Sequence, residues 1–193
     1  MTFTSDRERR LWLWTLAVVV AIFSTLGLTR TLAGAVRDRG LIDDTFFWAF
    51  VATVAAMVAI AIATRPGVAE IGVAIATVAV YLMVFLRMAA PEERSHLVEY
   101  GVLAVLVYEA LAERANGDGR IRRPAALAVV ATSLVGIGDE IVQAVLPFRV
   151  FDPIDIVFNV LAVVMAIGAR LALGRARRLR PGEHRAYQDG APS

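Results

Sequence analysis

The chain has 193 residues, of which 58% are hydrophobic and 20% are charged, with a formal net charge of +2. Soluble domains usually carry about 45–50% apolar and about 25% charged residues, so the composition indicates a membrane protein. The absence of Cys excludes disulfides, thiolate metal sites and Cys nucleophiles. All 20 basic residues are Arg beside apolar blocks, without the interleaved aromatics of a nucleic-acid site, so we predict no nucleic-acid partner.

Six apolar blocks follow one another along the chain. A helix needs roughly 17–25 apolar residues to cross a hydrocarbon core about 30 Å thick, and these blocks reach or nearly reach that length. We therefore predict an all-α fold, a polytopic membrane bundle of about six transmembrane helices. Its predicted surroundings are the lipid bilayer, which we count among its partners. The blocks are Leu11–Leu28, Phe46–Thr64, Val68–Ala90, Leu97–Leu111, Pro124–Leu146 and Ile154–Leu173.

Arginine placement predicts the orientation. With the N-terminus inside, fourteen arginines fall on the inner side and six on the outer side, and this bias favours cytoplasmic termini. We predict a cytoplasmic N-tail (1–10), one transmembrane domain (11–173) and a basic cytoplasmic tail (174–193) that is disordered. The first block exceeds the 7–15 residues of a signal core, which favours an uncleaved anchor, although cleavage stays open.

The connections carry their own signals. We expect Thr31–Leu41 to form a short outer interfacial helix that Gly40 breaks. Arg65-Pro66-Gly67 predicts a tight turn, because Pro and Gly both end helices there. The polar run Ala115–Arg123 predicts a cytoplasmic loop.

Three segments combine polar residues with apolar helical patterns. In the first, His96, Glu99 and Tyr100 are spaced i, i+3 and i+4, so they share one helix face that Leu103 and Val107 continue. One reading is an ordinary helix entry at the membrane interface, with Tyr100 in the aromatic belt. The other, which we favour for His96 and Glu99, is a buried or functional network.

The second segment holds two adjacent acids. Thr132, Gly136, Asp139, Glu140 and Gln143 fall within about 100° of helix arc. Each charge at bilayer depth costs roughly 2.5–3.5 kcal/mol, so two carboxylates are too costly to face lipid. They should point into the bundle, as a structural salt bridge or as a site.

The third segment is Val150–Asn159. Asp152 is placed to cap a helix, while Asp155 and Asn159 lie one turn apart on a face that Ala162 and Ala166 continue. An Asn inside the membrane normally makes a hydrogen bond between helices, so packing and site readings are equally open.

Under the predicted orientation, these polar residues converge at the outer ends of the last three helices. Such convergence inside a membrane indicates a site. An imidazole with oxygen ligands is a nonspecific metal pattern, so we predict neither a metal nor a cofactor. The candidate site residues are His96, Glu99, Tyr100, Asp139, Glu140, Gln143, Arg149, Asp155 and Asn159.

The same residues resemble a known family. His96-x-x-x-Tyr100, then Asp139-Glu140-x-x-Gln143 with Arg149, then Asp155-x-x-x-Asn159, is similar to the VanZ-like family of bacterial membrane proteins, over about residues 91–168. Many members carry a Lys shortly before the His, where this chain has Glu93-Arg94, and the small Gly that often follows the Asn is Ala162 here.

The resemblance implies a multi-pass protein of the bacterial plasma membrane and low-level resistance to teicoplanin, a lipid-bearing glycopeptide. We expect it to act at the outer leaflet on a wall precursor or an amphiphile such as the drug, with Arg149 meeting phosphate or carboxylate. The alternative is a membrane-embedded hydrolase or transferase for a lipid-linked substrate, with His96 or Glu140 as general base. A transporter is the weakest reading, because no inverted repeat is present. Whether the protein is an enzyme, what its substrate is and its oligomeric state stay open.

Overall fold

The structure is a computed structural model that describes residues 3–38, 48, 63–87, 91–146 and 153–179. Within these ranges all regular secondary structure is α-helical, as the apolar blocks predict. The helices are α1 (Asp6–Asp38), α2 (Val68–Arg87), α3 (Pro91–Asp118), α4 (Pro124–Val145) and α5 (Pro153–Arg178).

Three of the described helices, α2, α4 and α5, are long and apolar enough to cross a membrane. Large apolar side chains on them are exposed, including Leu82 on α2, Ile141 on α4 and Val157 on α5. Exposed apolar faces of this extent mark contact with lipid or with another protein, so the fold suggests a membrane protein. Nearly all of the predicted second span, Phe46–Thr64, lies outside the described residues, and the number of spans stays a prediction.

The predicted turn at Arg65-Pro66-Gly67 is confirmed. Arg65 has a positive φ of 44°, and α2 begins directly after Gly67. The Glu70 carboxylate accepts a hydrogen bond from the Gly67 backbone N–H at 2.7 Å. An acid three residues into a helix that caps the first N–H in this way stabilises the helix start.

The predicted loop at Ala115–Arg123 is shorter than expected. α3 continues through Ala115 to Asp118, and Gly119 ends it with a φ of +66° while its N–H donates to the Ala115 carbonyl oxygen at 3.1 Å. A glycine in the left-handed region commonly ends a helix, as Gly119 does here. Asn116 and Gly117 are tolerated inside the last turn. The predicted start of the loop was therefore four residues too close to the N-terminus.

Two other helices also run further than predicted. α1 is continuous to Asp38, so the separate interfacial helix predicted from Thr31 is wrong over the described residues. No Pro interrupts this stretch, and a single Gly costs only about 1 kcal/mol in a helix. α5 likewise includes Gly174–Arg178 from the predicted tail, where arginines suit the C-terminal end of the helix dipole.

The chain divides into two compact units, Met1–Leu32 with Val80–Gly168, and Ala33–Ala79 with Ala169–Ser193. In the first unit, α3 packs against α4, and its inner face consists of Leu103, Ala104, Val107 and Ala110. A Cβ placed at Gly101 would lie 3.3 Å from the Tyr81 hydroxyl and 3.8 Å from the Ala166 Cβ. A small residue here lets α2 and α5 approach α3 closely.

The N-terminal residues are bound to the C-terminal part of α3 in the first unit. Arg7 forms ion pairs with Glu109 at 2.9 Å and with Glu113 at 2.6 Å. The Ser5 hydroxyl donates to Glu113 at 2.9 Å. A Cβ on Gly117 would lie 2.8 Å from Thr4, so the N-terminal segment also packs tightly against the helix end.

Glu8 is the buried centre of this contact, and its side chain is fully inaccessible. It pairs with Arg114 at 3.3 Å and accepts hydrogen bonds from the Thr4 backbone N–H and hydroxyl and from the Trp12 indole N–H. Burial by itself would raise the pKa of Glu8. The hydrogen bonds from Thr4 and Trp12, together with the charge of Arg114, outweigh burial and lower the pKa below its ordinary value of 4.5.

A further ion pair lies in the other unit. The Arg177 guanidinium donates to the Glu70 carboxylate at 2.9 Å. Glu70 thus caps the start of α2 and also pairs with the last turn of α5. From the sequence, Arg177 indicates only membrane topology. Its pairing with Glu70 could not be predicted, because the two residues are 107 positions apart.

Candidate functional site

Buried polar side chains from α3, α4 and α5 lie together inside the first unit. We call this group the polar cluster. Each member is at most 6% exposed. Its members are His96 and Tyr100 on α3, Thr132, Asp139, Glu140 and Gln143 on α4, and Asn159 on α5.

The buried face of α4 is the predicted one. The 100° arc drawn from the sequence contains Thr132, Gly136, Asp139, Glu140 and Gln143, and all five are buried. The face of α3 is also confirmed, since His96, Tyr100, Leu103 and Val107 are buried. Neither acid points outward, as the cost of a charge in lipid requires.

Asp139 is held by two hydrogen bonds from neutral donors. The Tyr100 hydroxyl donates to its Oδ2 at 2.9 Å, and Gln143 Nε2 donates to the same oxygen at 3.2 Å. Gln143 Nε2 also lies 3.4 Å from Glu140 Oε1. The spacings of three and four residues put the amide above both carboxylates on one helix face. Gln143 is therefore a hydrogen-bonding partner of Glu140 from its own helix.

His96 completes this arrangement from α3. Its ring lies edge-on to the ring of Tyr100, with centroids 5.9 Å apart. His96, Asp139 and Glu140 each offer one potential ligand atom, and the three atoms lie within 4.8 Å of one another. An imidazole beside two carboxylates can exchange protons, bind a cation or orient a polar headgroup.

Asn159 reaches the cluster from α5 by close packing against α4. A Cβ on Gly136 would lie 3.1 Å from Asn159 Cβ and 3.3 Å from the Tyr100 ring. Among the described residues, neither amide atom of Asn159 has a hydrogen-bond partner. A buried amide without hydrogen-bond partners costs free energy, so the two amide atoms of Asn159 need an explanation.

The remaining predicted site residues are placed less centrally. Glu99 and Asp155 are half-buried, each one turn or less from a member of the cluster on its own helix. Arg149 lies outside the described residues. Sequence reasoning left Thr132 out of the site although it was on the predicted face; its hydroxyl oxygen is buried without a hydrogen-bond partner among the described residues.

No protein-family model, curated protein or solved structure matches this chain.

Proposed function

We propose that the chain is a VanZ-like, multi-pass protein of the bacterial plasma membrane that gives low-level resistance to teicoplanin-type glycopeptides. In this proposal the polar cluster acts at the outer leaflet and binds the polar part of a wall precursor or of a lipid-bearing amphiphile. The resemblance of residues 91–168 supplies the drug class.

The observation that carries the proposal is the burial of Asp139, Glu140 and Gln143 with Tyr100 and Asn159 among three helices. The Tyr100–Asp139 hydrogen bond joins α3 to α4, and Asn159 of α5 lies against Gly136 of α4. A structural brace would pair its polar atoms internally, whereas Asn159 keeps both amide atoms for another partner among the described residues. A polar headgroup offers both a donor and an acceptor to the Asn159 amide.

Topology is the second part of the proposal, with six spans and both termini cytoplasmic. The contacts of Arg7 and Ser5 with Glu113 support a common side for the N-tail and the end of α3, as the arginine bias predicts. Reporter fusions at Arg120 and Ser193 should read cytoplasmic, and a fusion at Phe151 should read external. An external signal at Ser193 would refute the orientation and the outer-leaflet site.

The functional test is expression in a glycopeptide-susceptible bacterium. The protein should reduce susceptibility to teicoplanin more than to vancomycin, because vancomycin has no acyl anchor in the outer leaflet. Glu140→Gln, Gln143→Ala and Arg149→Ala should each abolish protection at unchanged protein level. Glu113→Gln, which removes a carboxylate from the other end of α3, should keep it. Protection by all three site variants would separate resistance from the cluster, and no protection by the unmutated protein would refute resistance.

A second candidate, a membrane-embedded hydrolase or transferase for a lipid-linked substrate, is favoured by one observation. The imidazole of His96 lies within 4.8 Å of two carboxylates, so it could take a proton from water or from an acceptor hydroxyl. The test is release of headgroup from a labelled lipid-linked wall precursor by purified protein in vesicles. Release that His96→Gln abolishes would favour the enzyme, and no release by the unmutated protein would exclude it for this substrate.

A further inference from the structure

His96, Asp139 and Glu140 form a set of metal-ligand side chains inside the polar cluster. They come from two packed helices, and their three candidate ligand atoms lie within 4.8 Å of one another. All three side chains are at least nine-tenths buried. Ligands on two different helices that converge in a protected interior are the usual arrangement of a metal site in a helical bundle.

A second observation separates this set from a simple group of acids. Among the described residues, His96 Nδ1 and Asp139 Oδ1 are buried and have no hydrogen-bond partner. Buried polar atoms are normally satisfied, so each of these two atoms needs an explanation. Both atoms belong to residues of the candidate metal-ligand set, and a bound cation could satisfy them together.

Charge gives the third argument. The other oxygen of Asp139 accepts hydrogen bonds from Tyr100 and Gln143, which are neutral groups. Two adjacent carboxylates in a low-dielectric interior are stabilised by a positive charge placed beside them. A divalent ion balances two carboxylates, while a neutral imidazole adds a ligand without adding charge.

The ligand types narrow the choice of metal. Imidazole suits zinc and other first-row transition metals, whereas Ca²⁺ and Mg²⁺ prefer oxygen ligands alone. Ligand atoms about 2.1 Å from a tetrahedral zinc ion lie about 3.4 Å apart, so binding would draw the three atoms together by up to about 1.4 Å. Side-chain rotation is sufficient for such a shift. Three protein ligands leave a coordination position for water or for a polar headgroup.

We propose that His96, Asp139 and Glu140 bind one divalent transition-metal ion, with zinc as the best fit, between α3 and α4. Asn159 would face a metal-bound water or headgroup from α5. This inference rests on the geometry of the cluster and not on glycopeptide resistance, so each can fail without the other.

The test uses full-length protein purified in detergent with an affinity tag that contains no histidine. After equilibration with Zn²⁺ and removal of free ion, elemental analysis should find about one zinc per chain. His96→Gln and Asp139→Asn should each weaken zinc binding by at least about 100-fold, because loss of even an outer-shell partner costs 10–100-fold. The matched controls His184→Gln and Asp118→Asn change the same residue types elsewhere and should bind as the unmutated protein does.

A measurement without any change at the site covers the possibility that the site variants do not fold. The chain has two histidines, so the His184→Gln protein contains only His96. With nitrogen-labelled histidine, Zn²⁺ should shift the ring-nitrogen resonances of the one remaining imidazole in that protein. An unshifted imidazole, or zinc retained by His96→Gln, would overturn the proposal, as would a folded wild-type protein that binds no zinc.

Discussion

Replacement of Gly136 by Ala tests how closely α4 approaches the residues of the cluster. The new Cβ would lie 3.1 Å from Asn159 Cβ and 3.3 Å from Tyr100 Cε1. Carbon atoms pack best at about 3.5–4.0 Å, so both neighbours must move by a few tenths of an ångström. Both are fully buried or nearly so, and dense surroundings resist that movement.

Gly138 supplies the control on the same helix, because a Cβ there would meet no atom within 4 Å. Replacing Gly by Ala inside a helix stabilises by about 0.5–1 kcal/mol, whereas overpacking a core costs about 1–3 kcal/mol. We therefore expect Gly138→Ala to raise the unfolding free energy by up to about 1 kcal/mol. The unfolding free energy of Gly136→Ala should be lower than that of Gly138→Ala by the overpacking cost, about 1–3 kcal/mol.

The measurement is the unfolding free energy of each purified variant in detergent micelles, from a reversible denaturant titration followed by circular dichroism. Both variants add the same methyl group to the same helix two residues apart, so propensity cancels in their difference. If Gly136→Ala is as stable as Gly138→Ala, the close contact between α4 and Asn159 is not a rigid one, and the reasoning is refuted.

Three further perturbations address other contacts. Tyr100→Phe removes a donor from the buried Asp139 carboxylate and should destabilise by about 1–3 kcal/mol in the same titration; no loss would mean that Asp139 is satisfied otherwise. Glu70→Ala removes both the helix cap and the ion pair with Arg177, whereas Glu70→Gln keeps an acceptor for the cap. The Glu70→Ala protein should therefore have an unfolding free energy about 1 kcal/mol lower than that of the Glu70→Gln protein. Because the pKa of Glu8 is lowered in the folded protein, its contribution is present above pH 4.5 and is lost as pH falls through the lower folded pKa. The difference in melting temperature between the unmutated protein and Glu8→Gln should therefore shrink below pH 4.5, and a constant difference would contradict the assignment.

Helical periodicity predicts well which faces are buried. The arc through Thr132, Asp139 and Gln143 follows from 100° per residue alone, and the physical pressure behind it is the cost of exposing carboxylates to lipid. The starts of α2 and α4 follow from Pro66 and Pro124, since proline marks a helix boundary by its own geometry.

Helix ends without such a marker are predicted less well. Asn116 and Gly117 indicate a loop by local propensity, yet they are helical because the end of α3 packs against Thr4. Tertiary contact overrides a weak local preference. The pairing of Arg7 with Glu109 could not be predicted either, because no local spacing joins residues 102 positions apart.

The contact between the N-terminal residues and α3 has a consequence for the order of folding. Ser5 and Glu113 are separated by 108 positions. A ribosome adds about 5–20 residues per second, so α1 exists for roughly 5–20 s before the residues that bind its first turn are synthesised. During that time Arg7 and Glu8 lack the partners on α3 that they have in the folded protein. The contact between the N-terminal residues and α3 can therefore form only after most of α3 has been made.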